Sequence, residues 1–156
     1  MTVLERDGVT LTVANLCGQT FMESYGSPWI SADRIVENAR GHLFVDFHAE
    51  TTSEKIAMAW YLDGKASAVV GTHTHVQTAD ERILPGGTAA ITDVGMCGPE
   101  NGVIGMDREI VMKRFLTLMP HRFEVADGPG VIHGVVIEIE RESGHAVAIE
   151  RVRFQS

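Results

Sequence analysis

Three histidines stand where ligand chemistry gathers in α/β proteins. His48 closes the run His42-Leu43-Phe44-Val45-Asp46-Phe47-His48, and His73 and His75 follow Ala66–Gly71 directly, in Thr72-His73-Thr74-His75. Both runs are short and apolar, as strands buried on both faces of a parallel sheet are. Ligands of open α/β sheets bind outside the carboxyl ends of the strands, where neighbouring loops meet. His73 and His75 are two residues apart, so in an extended segment they face the same side. Neutral imidazole binds first-row transition metals, and the pattern points to metal held by His48, His73 and His75. Taken singly, each suits an ordinary polar strand-end residue; only their concurrence carries the metal reading. Asp46 alternates with His48 along its strand and can steady it. Glu50 is a general base or a loop carboxylate leading into a helix. Thr72 and Thr74 are phosphate donors or small spacers, and Asp93, at another strand end, orients a histidine or caps a turn.

The elements that must position these residues can be read from the same chain. Val3–Arg6, Asp7-Gly8 and Val9–Leu16 form a hairpin, because Asp-Gly suits a two-residue turn. Gly18 to Trp29 is a loop, and Ser31 caps a helix over Ser31–Arg40. Thr51-Thr52-Ser53-Glu54 has the spacing of a capping box, opening a helix that faces the core with Ile56, Ala59 and Trp60 and stops near Asp63-Gly64. A third buried strand covers Thr88–Val94 and runs into a loop shaped by Gly95, Gly98 and Gly102. Asp107–Leu118 reads as a helix. His121–Ala126, Val131–Arg141 and Ala146–Phe154 read as strands, the last two joined at Glu142-Ser143-Gly144-His145. His42, His121, His133 and His145 read as ordinary strand-start, strand or turn residues, and Cys97 is given no catalytic role. The fold class is α/β with antiparallel strands at both ends, in a single domain over 1–156.

Composition narrows the function. The 156 residues are 44% hydrophobic, and 13 Lys+Arg stand against 21 Asp+Glu, a net charge of −8. That balance argues against a general grip on nucleic-acid backbone, which needs clustered cations. Two distant cysteines, Cys17 and Cys97, exclude a disulfide framework and suggest a reducing cytoplasm. No apolar run nears the roughly 20 residues of a membrane span.

Longer motifs add a resemblance. Val45-Asp46-Phe47-His48-Ala49-Glu50-Thr51-Thr52-Ser53-Glu54-Lys55, Val69 to Asp80 with its Gly71-Thr72-His73-Thr74-His75 centre, Ile91-Thr92-Asp93-Val94-Gly95-Met96 with Gly98-Pro99, and Val103-Ile104-Gly105-Met106-Asp107 together resemble the YmdB family of bacterial calcineurin-like metallophosphoesterases. Asn15-Leu16, Gly18 and Phe21-Met22 fit as well. The resemblance implies the C-terminal part of a metallophosphoesterase α/β sandwich, a mixed sheet with helices and a C-terminal antiparallel hairpin. It implies hydrolysis of 2′,3′-cyclic nucleotides and other phosphodiesters by a hydroxide held between two ions about 3.5–4 Å apart, iron or manganese in the family. His48 and His73 would hold one ion, and His75 would help hold the other.

The family's early strand-end aspartate, its Glu-Asn pair and its Asn-His pair, whose histidine protonates the leaving group, have no counterpart here. Asn15 precedes Leu16, and Glu37-Asn38 falls within the expected surface helix. No general acid is therefore assigned, and three imidazoles without carboxylates suggest one ion or none in place of two. A divided α/β fold would uncover a parallel strand edge and an apolar surface, so self-association or pairing with the missing N-terminal half is expected. The alternatives are an inactive remnant or oligomerising module that binds one ion or none, and a single-zinc hydrolase using the three histidines.

Overall fold

The computed structural model describes residues 1–156. Its elements are β1 Thr2–Arg6, β2 Val9–Cys17, α1 Pro28–Asn38, β3 His42–His48, α2 Thr52–Tyr61, β4 Ala68–Thr72, β5 Arg82–Ile83, β6 Ala89–Ile91, β7 Cys97–Pro99, α3 Arg108–Thr117, β8 Gly130–Ile139 and β9 Ala146–Gln155. Six strands form one sheet in the order β1-β2-β3-β4-β6-β5, and β7-β8-β9 form a second. Strands β2, β3, β4 and β6 are parallel, while β1 and β5 pair antiparallel at the edges. The mixed α/β architecture and the C-terminal hairpin are as the sequence indicates. The expected open parallel edge is not there, because the β1–β2 hairpin folds an antiparallel strand over it.

Strand alternation sorts β3 between two layers. Leu43, Val45 and Phe47 join Met58, Leu62 and Val69 in the main core, against which Trp29, Ile35 and Val36 of α1 also pack. The opposite face of β3 carries Phe44, which packs with Ile137 of β8 and Ile149 of β9 around Ala68, Ala89 and Ala146. Asp46 and His48 share that second face, further along the strand. Gly71 lets β4 approach β6, since a Cβ there would lie 1.8 Å from the Thr92 carbonyl oxygen.

Several expected details shift. Helix α1 starts at Pro28, with Ser27 accepting from the Ile30 amide at 3.4 Å; proline suits a first helical position because its missing N–H has no partner there anyway. Ser31 therefore lies inside the helix. The capping box does not form: Thr51 makes no side-chain cap bond, and Glu54 turns away to accept from the amides of Gln19 and Thr20 at 3.1 and 3.2 Å. The buried face of α2 is Glu54, Lys55, Met58 and Ala59, with Trp60 half exposed. Cys97–Pro99, expected as loop, pairs with β8. His121–Ala126 is not a strand; Val125 alone forms a bridge, to Met106, and Phe123 lies under the Arg114 guanidinium. No helix is long and apolar enough to cross a membrane.

Candidate functional site

The parallel register sets His48 beside Thr72. Thr72 Oγ1 donates to Asp46 Oδ1 at 2.7 Å, and Asn15 Nδ2 donates to Asp46 Oδ2 at 2.8 Å. The only hydroxyl proton of Thr72 is thus committed, so at 3.0 Å its oxygen accepts from His48 Nδ1–H. That leaves the His48 Nε2 lone pair bare. Burial, followed by the nearby His73, holds the His48 pKa below the ordinary histidine value and favours this neutral form.

His73 meets it from the next loop. The ring centroids are 4.7 Å apart at 78°, and His73 Nδ1 lies 3.0 Å from His48 Nε2. The other nitrogen, His73 Nε2, is 2.9 Å from Glu50 Oε2; a carboxylate accepts, so Nε2 carries the hydrogen. Two nitrogens whose ring partners are both donors therefore face each other across 3.0 Å. His75 lies apart, its Nδ1 3.2 Å from the Ile104 carbonyl. The three imidazoles thus do not meet at one point, and no three His, Cys, Asp or Glu side chains are grouped as a metal shell. The reason is backbone conformation: an extended segment would turn His73 and His75 the same way, but φ is +102° at His73 and +67° at His75.

Such left-handed φ values in non-glycine residues need support from their surroundings, and Asp93 supplies it. Asp93 Oδ2 accepts from Thr74 N at 3.0 Å, from Thr74 Oγ1 at 2.7 Å and from Lys55 Nζ at 2.8 Å, while Oδ1 accepts from Gly95 N at 2.8 Å. Asp93 and Lys55 are both almost wholly buried. Burial pushes the Asp93 carboxyl up, but the bonds from Lys55, Thr74 and Gly95 outweigh it and leave the pKa below the usual range. Asp93 therefore orients the loop between the two histidines, through Thr74. Thr72 and Thr74 donate to carboxylates and hold the frame.

Lys55 escapes a reading of the sequence alone, although a signal is present. It sits at i, i+3, i+4 and i+7 spacing with Met58, Ala59 and Leu62, so a lysine occupies the apolar stripe of α2. Glu54 likewise has the spacing of a cap but serves the loop at Gln19 and Thr20.

The profile of a family described as YmdB-like protein matches residues 1–152. The chain is 54% identical over 155 residues to a 2′,3′-cyclic-nucleotide 2′-phosphodiesterase of Bacillus subtilis (strain 168), covering 97% of this chain and 59% of the relative. A crystal structure of a hypothetical protein from Thermus thermophilus superposes with a TM-score of 0.94 at 41% identity, over 99% of this chain and 61% of that one. A novel phosphatase from Mycoplasma pneumoniae gives 0.91 at 35% identity, over 99% and 56%. The chain thus spans a little over half the length of the relatives it matches.

Proposed function

The chain belongs to the YmdB-like family, and from that premise we propose that it serves divalent-metal-dependent hydrolysis of phosphodiesters, with 2′,3′-cyclic nucleotides as the substrate class. His48 and His73 would hold one ion together, and His75 would contribute to another. The observation that carries this reading is the pair of facing nitrogens, His48 Nε2 and His73 Nδ1, at 3.0 Å. With Nδ1–H of His48 on Thr72 and Nε2–H of His73 on Glu50, a neutral pair would turn both facing nitrogens to one cation as ligands. Metal-ligating histidines usually donate their other ring N–H to a carboxylate, carbonyl or similar partner, as both do here. The donor set fits a divalent transition metal.

When bound, such ions polarise phosphoryl oxygens and render water nucleophilic near neutral pH. The chain's own residues do the positioning. Asp46, held by Asn15, fixes Thr72, and Thr72 fixes the tautomer of His48. Glu50 fixes that of His73. Lys55 and Asp93 keep Thr74 in place, and with it the backbone that separates His73 from His75.

Manganese titration followed by calorimetry tests the reading. Binding should weaken as pH falls through the His48 value, which burial and the nearby His73 hold below the ordinary histidine range, because protons then compete with metal. His48→Ala and His73→Ala should each abolish binding together with hydrolysis of bis-p-nitrophenyl phosphate; binding or turnover that survives either change removes the proposal. A second reading, a metal-binding module without turnover, is favoured by the absence of any three-residue His, Cys, Asp or Glu grouping. One equivalent of metal without hydrolysis would select it.

A further inference from the structure

Beside His75 a cleft of about 350 Å³ opens between the loop after β4, the segment around Met96 and strand β8. Met96, Ile104 and Val131 give it apolar walls, and its polar side chains are His75, Gln77, Glu100 and His133. Three of those four are engaged within the protein. His75 meets the Ile104 carbonyl; Gln77 Nε2 donates to the carbonyls of Val94 and Gly134 at 3.2 and 2.9 Å; Glu100 pairs with Arg153 and accepts from Gln155 Nε2 at 2.9 Å. His133 differs: its Nδ1 is buried against Gly95, where an added Cβ would fall 2.8 Å from it, and no hydrogen bond within the protein engages its other ring nitrogen, Nε2. Its ring is seated against Gly95, where an added Cβ would fall 2.6 Å from the His133 Cβ, and its amide donates to the Met96 carbonyl at 3.0 Å. An imidazole nitrogen can donate or accept according to its tautomer, so Nε2 of His133, the one side chain of the four with no bond within the protein, is left free to meet a partner from outside.

Ligand sites are concave and mostly apolar, with a few placed polar groups, and run to about 300–1,000 Å³. This cleft lies at the small end, with room for a ring system. Methionine sulfur packs well on aromatic rings. Ile104 forms a lip: it stands at the tip of a tight turn in which Val103 and Met106 exchange hydrogen bonds of 2.8 and 3.0 Å. A nucleotide joins its phosphate to its base through a ribose, so a seat for the base must adjoin the phosphate's without coinciding with it. His75, in the cleft wall and two residues beyond His73, supplies that adjacency. Resting on the phosphodiesterase reading, we infer that this cleft seats the heterocyclic base of the substrate, and that His133 is the residue that hydrogen-bonds its ring edge.

Adenosine, which has base and ribose but no phosphate, tests this directly. It is titrated into the full chain with methyl-labelled methionine and ring-labelled histidine, alongside ribose 5-phosphate, which lacks the base. Adenosine should shift the Met96 methyl and His133 ring resonances to saturation, and ribose 5-phosphate should move neither. His133→Phe keeps a ring and removes its nitrogens; adenosine affinity should fall about tenfold, the scale of one lost hydrogen bond. Ile104→Asn removes the lip with a residue that tolerates the φ of +47° there, and should weaken binding even if His133→Phe fails to fold. Resonances that ignore adenosine, or respond equally to ribose 5-phosphate, overturn the inference. Manganese broadening of the His48 and His73 signals separates the two readings. Broadening without an adenosine response removes the base seat alone, and an adenosine response without broadening sustains the seat while removing the metal proposal.

Discussion

Helices α2 and α3 are both ten residues long, and they are held in place by opposite means. α2 has no side-chain N-cap and buries Glu54, Lys55, Met58 and Ala59. α3 buries only Val111 and leaves Phe115 and Leu116 69% and 77% exposed. Its order is local: Asp107 Oδ1 accepts from the amides of Glu109 and Ile110 at 3.0 and 2.9 Å, and the Leu118 amide returns to the Arg114 carbonyl. Isolated helices this short are marginal in water, so α3 depends on its caps and α2 on its neighbours. The helix that serves the site is the one that buries charge. Burying an ion pair is a weak route to stability, so the Lys55–Asp93 pair is better explained by the loop it positions.

The largest test of this contrast is Asp93→Ala, which strands a buried lysine and should cost about 3–5 kcal/mol in urea unfolding. Lys55→Met should cost less, since Asp93 keeps its donors from Thr74 and Gly95; equal losses would show that the loop bonds contribute nothing. Acid sharpens the same point. A carboxylate whose native pKa is depressed contributes stability that is fully present above its unfolded value, about 3.9 for aspartate, and lost as pH falls through the native value. Thermal midpoints should therefore drop below about pH 4, and Asp93→Asn should flatten that limb.

Packing comes next. Met58→Ala, at a fully buried position, should cost about 2–5 kcal/mol, whereas Leu116→Ala should stay within about 0.5 kcal/mol; similar losses in chemical denaturation would erase the contrast between the helices. Asp107→Ala should cost about 1 kcal/mol, visible as faster amide exchange confined to α3. The smallest effect is a gain. Leu118 ends α3 with φ +59°, a conformation that glycine adopts without strain, and Leu118→Gly should raise stability by a few tenths to about 1 kcal/mol.

Much of this is legible in the residue order. The apolar runs ending at His48 and Gly71 mark two parallel strands and place His48, His73 and the carboxylates at their carboxyl ends, because burial on both faces leaves a plain signature. Backbone conformation at His73 and His75 is not legible. A spacing of two implies a shared side only in extended chain, and the left-handed φ values come from contacts with Asp93 and Ile104, distant in sequence. The capping box fails for a similar reason: Glu54 has the right spacing, yet the amides of Gln19 and Thr20 outcompete the Thr51 amide. His121–Ala126 alternates plausibly but has no sheet beside it to complete a strand. His133 looks ordinary in the sequence because an unpaired nitrogen is a property of its surroundings.

The twisted main chain at His73 and His75 has a thermodynamic corollary. Its unfavourable torsions are met during folding, underwritten by the Lys55–Asp93–Thr74 frame, so a ligand arriving at the loop need not freeze it. Preorganisation of this kind removes an entropic penalty from association. Under the proposed metal reading, the histidine pair would meet its ion without a further ordering cost in the loop.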